Sequence, residues 1–122
     1  MELTEIARET WERFFDDVTA RQAGAEVEIE VADVELGDQE EAIRLPLASL
    51  TYDPKDEAFI VSVGGRDGRL PVVLRHIVEG VLAIAVDIED PVLVRTIAVE
   101  AKDRATTVLR ITPKPVLPPA EG

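Results

Sequence analysis

The chain has 122 residues, 46% of them hydrophobic, with no cysteine and a formal net charge of −12 from 25 acidic and 13 basic side chains. That length suits one core of helix on sheet. The charge argues against nucleic acid and anionic lipid, which both need neutralising Lys or Arg, and the missing thiols exclude disulfide scaffolds, thiolate catalysis and Cys-based zinc sites. Ten Arg against three Lys, with two Gln and no Asn, fit a GC-rich genome most simply. Adaptation to heat or to salt are the alternatives, and a melting temperature indifferent to salt would count against the last. The N-terminus, MELTEIARE, is charged and lacks the apolar core of a secretory signal. The longest apolar run, Val81–Val86, is too short to span a bilayer, so a cytoplasmic protein is expected.

Residues 1–8 read as a lead-in, and Thr4 or Thr10 can cap a helix that starts near Ala7–Glu9. The stretch Glu9–Gln22 is the one strong amphipathic helix. Trp11, Phe14, Phe15 and Val18 fall at i, i+3, i+4 and i+7, opposite Glu12, Arg13, Asp16, Asp17 and Arg21. Three of the five aromatic residues lie on this stripe, so the rest of the chain must supply a surface for it. Gly24 is the expected stop.

Ala25–Val31 alternates, with Val27, Ile29 and Val31 inward and Glu26, Glu28 and Glu30 outward, as a half-buried strand does. The phase slips at Ala32–Asp33, Val34 and Leu36 resume one step off, and Gly37-Asp38 makes a turn. Ile43, Leu45 and Leu47 alternate again; Pro46 cannot donate to a ladder and marks this as an edge strand. Leu50–Tyr52 is a short strand entering the type I turn Asp53-Pro54-Lys55-Asp56. Phe59, Val61 and Val63 return.

After the glycine loop 64–68, Leu70–Leu74 is a strand, and Arg75–Gly80 breaks the pattern as a single helical turn. Val81–Glu89 places Leu82, Ile84, Val86 and Ile88 on one face and small Ala83 and Ala85 on the other. Asp90-Pro91 turns into Leu93–Ala101, and Lys102-Asp103-Arg104 turns into Thr106–Ile111. Pro113, Pro115, Pro118 and Pro119 forbid regular structure beyond. The expected fold is α+β: an N-terminal amphipathic helix packed on a curled antiparallel sheet or partial barrel of about seven to eight strands. Residues 1–112 form its single domain and 113–122 an extended proline-rich tail.

Chemistry-bearing patterns are sparse. His76 is the only histidine, which rules out the usual zinc ligand set, and it reads first as a structural hydrogen-bonding residue. Ser49 and Ser62, the only serines, stand in no nucleophile elbow. Asp53, Asp56 and Glu57 can offer oxygens to a hard cation but lack the spacing of a calcium loop, so a solvated turn is the plainer reading. Gly64, Gly65 and Gly68 are followed by a proline-marked strand rather than the helix a phosphate cradle requires. Asp16 and Asp17 point about 100° apart on a helix and cannot act as a matched acid–base pair. The Glu26–Glu28–Glu30 row reads as a solubilising face. Trp11 reads as core beside Phe14 and Phe15. No catalytic set, metal ligand set or cofactor is expected.

Several stretches in this order resemble a known family: Trp11 with Phe14-Phe15-Asp16, Leu45-Pro46-Leu47, Leu50 through Asp56, His76-Ile77 with Ile84 and Val86, Arg95 through Glu100, and Thr107 to Ile111. Over about residues 5–112 the chain is similar to the uncharacterised prokaryotic family catalogued as domain of unknown function 5335. Members tend to have Pro where Val81 stands and Asp-Gly where Asp103-Arg104 stands. The resemblance implies a small single-domain protein and carries over no activity and no catalytic residue.

Three functional readings follow. The first is a non-enzymatic protein-interaction or assembly module, working through an unknown protein partner or through self-association, without nucleic acid or membrane. The second is a small-molecule-binding domain with a pocket between helix and sheet, for which Tyr52, Arg75 and His76 are the candidate ligand-binding groups. The third is an enzyme using carboxylates with His76 as acid–base. Whether side chains fill the space between helix and sheet separates the first two.

Overall fold

The computed structural model describes residues 3–33, 37–64, 72–90, 93–103 and 105–112, with the side chains of 33, 37–44, 72–73 and 89–90 excepted. The chain is mostly β. Strand β1 (Thr4–Glu5) leads through a 3-10 turn (Arg8–Thr10) into helix α1 (Trp11–Gln22). Seven strands follow: β2 (Glu26–Asp33), β3 (Gly37–Asp53), β4 (Ala58–Gly64), β5 (Val72–Val78), β6 (Val81–Asp90), β7 (Leu93–Ala101) and β8 (Thr106–Thr112). They make one antiparallel sheet in the order β1-β6-β7-β8-β2-β3-β4-β5, which does not close on itself. The two meanders β2–β5 and β6–β8 join where β8 pairs with β2.

The helix stripe folds as its spacing predicts. Trp11, Phe15 and Val18 are buried and Phe14 is half-buried against the core. Thr10 occupies the N-cap position without a side-chain cap; its hydroxyl donates back to the Ala7 carbonyl instead. Gly24 ends the helix at φ 94, the left-handed conformation that glycine adopts without strain. Its N–H donates to the Leu47 carbonyl at 2.7 Å, and Leu47 N–H donates to the Ala25 carbonyl at 2.8 Å. The helix stop and the start of the β2–β3 pairing are therefore one structure.

Helix α1 lies mainly on β3, where the Thr19 hydroxyl accepts the Leu50 N–H at 2.8 Å. Its last residue reaches β7. The buried Gln22 amide donates to the Val94 carbonyl and accepts the Val94 N–H, both at 2.9 Å. Strands β7 and β3 are three steps apart in the sheet, which is about 14 Å if the sheet were flat. One helix touches both because the sheet curls around it. The same curl brings Val81 N–H of β6 to the Glu57 carbonyl at the β3–β4 turn, while Lys102 N–H extends the β6–β7 ladder onto the Gly80 carbonyl.

Three expectations are corrected. Strand β3 is internal, running continuously from Gly37 to Asp53 with β2 and β4 as neighbours. Pro46 is tolerated because β3 changes partner there: Pro46 pairs with Glu26 of β2, and pairing with β4 begins at Leu47. Since Leu47 N–H points toward β2, the Pro46 nitrogen points the other way, where the β4 ladder has ended.

Arg75–Val78 is strand, not a helical turn; β5 runs to Val78 and only Glu79-Gly80 breaks it, with Gly80 at φ 66. In β6 the four bulky residues do not share a face. Register shifts between Val81 and Ala83 and between Asp87 and Ile88 leave Ile84 and Val86 buried but expose Leu82 and Ile88 by 50% and 44%. The Val34–Leu36 segment, the glycine loop beyond Gly64, Pro91 and the proline-rich tail lie outside the described residues.

Candidate functional site

The side chain that gathers most segments is Arg8, which precedes the helix by one 3-10 turn. Its guanidinium stands 4.5 Å from the Trp11 ring centre. It donates to the Tyr52 hydroxyl at 3.3 Å, to the Val81 carbonyl at 3.2 Å and to the Leu82 carbonyl at 3.4 Å. Trp11 Nε1–H in turn donates to the Ile6 carbonyl at 3.0 Å, and Ile6 N–H donates to the Ile84 carbonyl. The lead-in is thus bound along β6 and clamped to β3. Arg8 is legible in the sequence only as a cation three residues before Trp11, and the segments it joins lie 44 and 73 residues away.

Beneath the clamp the helix–sheet contact is filled by aromatic rings. Trp11 meets Tyr52 edge-on at 5.0 Å between centroids and Phe15 meets Phe59 at 4.7 Å. A groove of about 460 Å³ opens beside this contact, lined by Arg8, Glu9, Glu12, Tyr52, Pro54 and Glu57. A second, of about 400 Å³, runs along the outer helix face past Glu9, Glu12, Arg13 and Asp16. Tyr52 is buried, with its hydroxyl on Arg8.

The three candidate ligand groups are not brought to one place. In an antiparallel ladder, directly opposed residues share a face. Tyr52 opposes Phe59, Phe59 opposes Val78 and Val61 opposes His76, so Tyr52 and His76 both lie on the inner face, two strands apart. His76 is half-buried there. Arg75 is exposed on the outer face, with its Nε–H 3.5 Å from the buried Ser62 hydroxyl that opposes it.

The acidic turn closes on itself. Asp53 Oδ1 accepts the Lys55 N–H at 2.9 Å and Glu57 pairs with Lys102 at 3.4 Å. Among the described residues no group of three or more His, Asp or Glu side chains could hold a metal ion. The Glu26–Glu28–Glu30 row meets a base of its own chain: Arg110 opposes Glu28 and its Nη1 stands 3.6 Å from Glu30.

What the sequence reading missed is the free edge. The sheet ends on one side at the two-residue β1 and on the other at the seven-residue β5. Among the described residues nothing pairs with the side of β5 away from β4. Along that edge Ile77 is 51% exposed, between exposed Arg75 and exposed Glu79. The signal is present as Arg75-His76-Ile77-Val78-Glu79, but two polar residues in succession mask a period of two.

The model of a family described as "Family of unknown function (DUF5335)" matches residues 2–120 of this chain. A protein of Aquifex aeolicus (strain VF5), described as an uncharacterized protein, is 35% identical over 113 residues, covering 93% of this chain and 95% of that protein. No solved structure matches.

Proposed function

Since the chain belongs to this prokaryotic family of unknown function, its geometry is what can speak to its role, and we propose that it is a non-enzymatic protein-interaction or assembly module. The observation that carries this reading is the β5 edge: seven residues long, unpaired on one side among the described residues, and bearing Ile77 in solvent. Natural sheets blunt or cover such edges unless another polypeptide adds to them. The ring contacts that fill the helix–sheet space at Trp11–Tyr52 and Phe15–Phe59 favour it over a pocket at that place. The separation of Tyr52, Arg75 and His76 favours it over chemistry by those groups.

A second reading, small-molecule binding, is supported by the groove beside Arg8 and Tyr52. Native mass spectrometry of gently purified full-length chain distinguishes them. The assembly reading expects polypeptide alone, at multiples of 13.4 kDa or with a second protein. A stoichiometric adduct too light to be a polypeptide would replace it with the second reading.

A further inference from the structure

The geometry points to a second copy of this chain as the partner of β5, joined antiparallel across a two-fold axis at Ile77. This inference rests on the assembly reading and gives it an occupant and a register. Edge pairing of identical strands is isologous, so residue i of one copy meets j of the other and j meets i. Opposed residues must share a face; on β5 the outward set is Arg75 and Ile77, and exposed Glu79 is the first residue past the strand's end. Few registers satisfy this condition. Centring on Arg75 sets two guanidinium groups against each other. Centring on His76 sets Arg75 against an isoleucine. Centring on Ile77 places the two exposed isoleucines together and brings Arg75 of each copy to Glu79 at the end of the other's β5, so both flanking contacts are complementary.

Among the described residues the edge is also free to receive a strand. After Gly80 the chain turns back toward β4, since Val81 N–H donates to the Glu57 carbonyl of the β3–β4 turn. The start of β6 therefore lies away from the unpaired side of β5. At the other end of the sheet β1 offers only Thr4 and Glu5, opposite Val86 and Ala85 of β6, and among the described residues the outer side of β6 beyond Val86 is also unpaired. The net charge of −12 opposes the approach of two copies, so the complementary pairs decide register as well as add attraction.

Sedimentation equilibrium of the full chain with two single charge reversals, their double variant and a mixture tests the register. Arg75→Glu sets two carboxylates against each other, the new one and that of Glu79, twice per dimer, and is expected to weaken association by about 10-fold or more. Glu79→Arg does the same with two guanidinium groups. The double variant R75E/E79R restores complementarity and is expected to return within about 3-fold of wild type. Mixing the two single variants is expected to give a heterodimer tighter than either homodimer. Both substituted residues are exposed, and unchanged circular dichroism of each variant confirms folding. A wild-type chain that stays monomeric up to about 1 mM would overturn the inference. So would association that neither single reversal weakens, or that the double variant and the mixture fail to restore. In those latter cases self-association persists and the assembly reading stands with a different surface; a stoichiometric small-molecule adduct is what defeats that reading instead.

Discussion

Trp11 and Gln22 mark the two ends of the helix, and each carries a different kind of energy. Trp11 is 2% exposed, packed edge-on against Tyr52 and covered by the Arg8 guanidinium. Trp11→Ala removes a buried aromatic and leaves a cavity, and is expected to cost about 3–5 kcal/mol in urea unfolding. A loss below about 1 kcal/mol would mean the ring does not pack as described. Gln22 contributes by satisfying the N–H and carbonyl of Val94 in a buried place. Gln22→Leu keeps the volume but leaves both backbone groups unpaired, and is expected to cost about 1–3 kcal/mol; unchanged stability would show that water replaces the amide. The sequence makes the first residue legible and hides the second. Helical spacing identifies Trp11, Phe15 and Val18 because burial of apolar groups is set locally by periodicity. Gln22 stands four residues after Val18 on the same stripe, but nothing local identifies its hydrogen-bond partner, which lies 72 residues away.

At the level of elements, the helix and most of the strands follow from period and turn chemistry. The misplaced ones share a cause. The β6–β7 ladder carries three register shifts, one of them with its extra residue, Arg95, in β7, so a run that alternates evenly in sequence does not do so in the sheet. Ile84→Ala is expected to cost about 2–5 kcal/mol and Leu82→Ala less than about 1 kcal/mol, although both are apolar residues of one strand. Equal losses in thermal or chemical unfolding would contradict the described register. Local rules make the stretch around Pro46 an edge strand because proline cannot donate to a ladder. Here a change of neighbour at that residue removes the need for its donor. The same rules cut β5 short because Arg75 and His76 interrupt the apolar pattern, and that cut conceals the free edge. Candidate site residues chosen for their chemistry, Tyr52, Arg75 and His76, are distributed over two faces by the same pleat that sets the edge.

For the molecule as a whole, curling and closure are separate matters. The sheet bends far enough for Arg8 to touch β3 and β6 together, and for the turns at Glu57, Gly80 and Lys102 to bond one another. Among the described residues it stops short of pairing its ends, which leaves β5 unpaired on one side. None of the long-range bonds that produce this shape can be read from local periodicity. No helix of the described residues is long and apolar enough to cross a membrane. Among the described residues the β5 edge is unpaired on one side, and on the proposed assembly reading polypeptide adds to it. Hydrogen exchange of the full chain, measured from about 10 µM to about 1 mM, reads that addition amide by amide. Edge pairing predicts that those amides of Arg75–Val78 that point away from β4 gain protection as concentration rises while those of β7 and β8, already paired on both sides, do not change. Protection that rises elsewhere in the chain, with β5 exchanging at the same rate at every concentration, would contradict it.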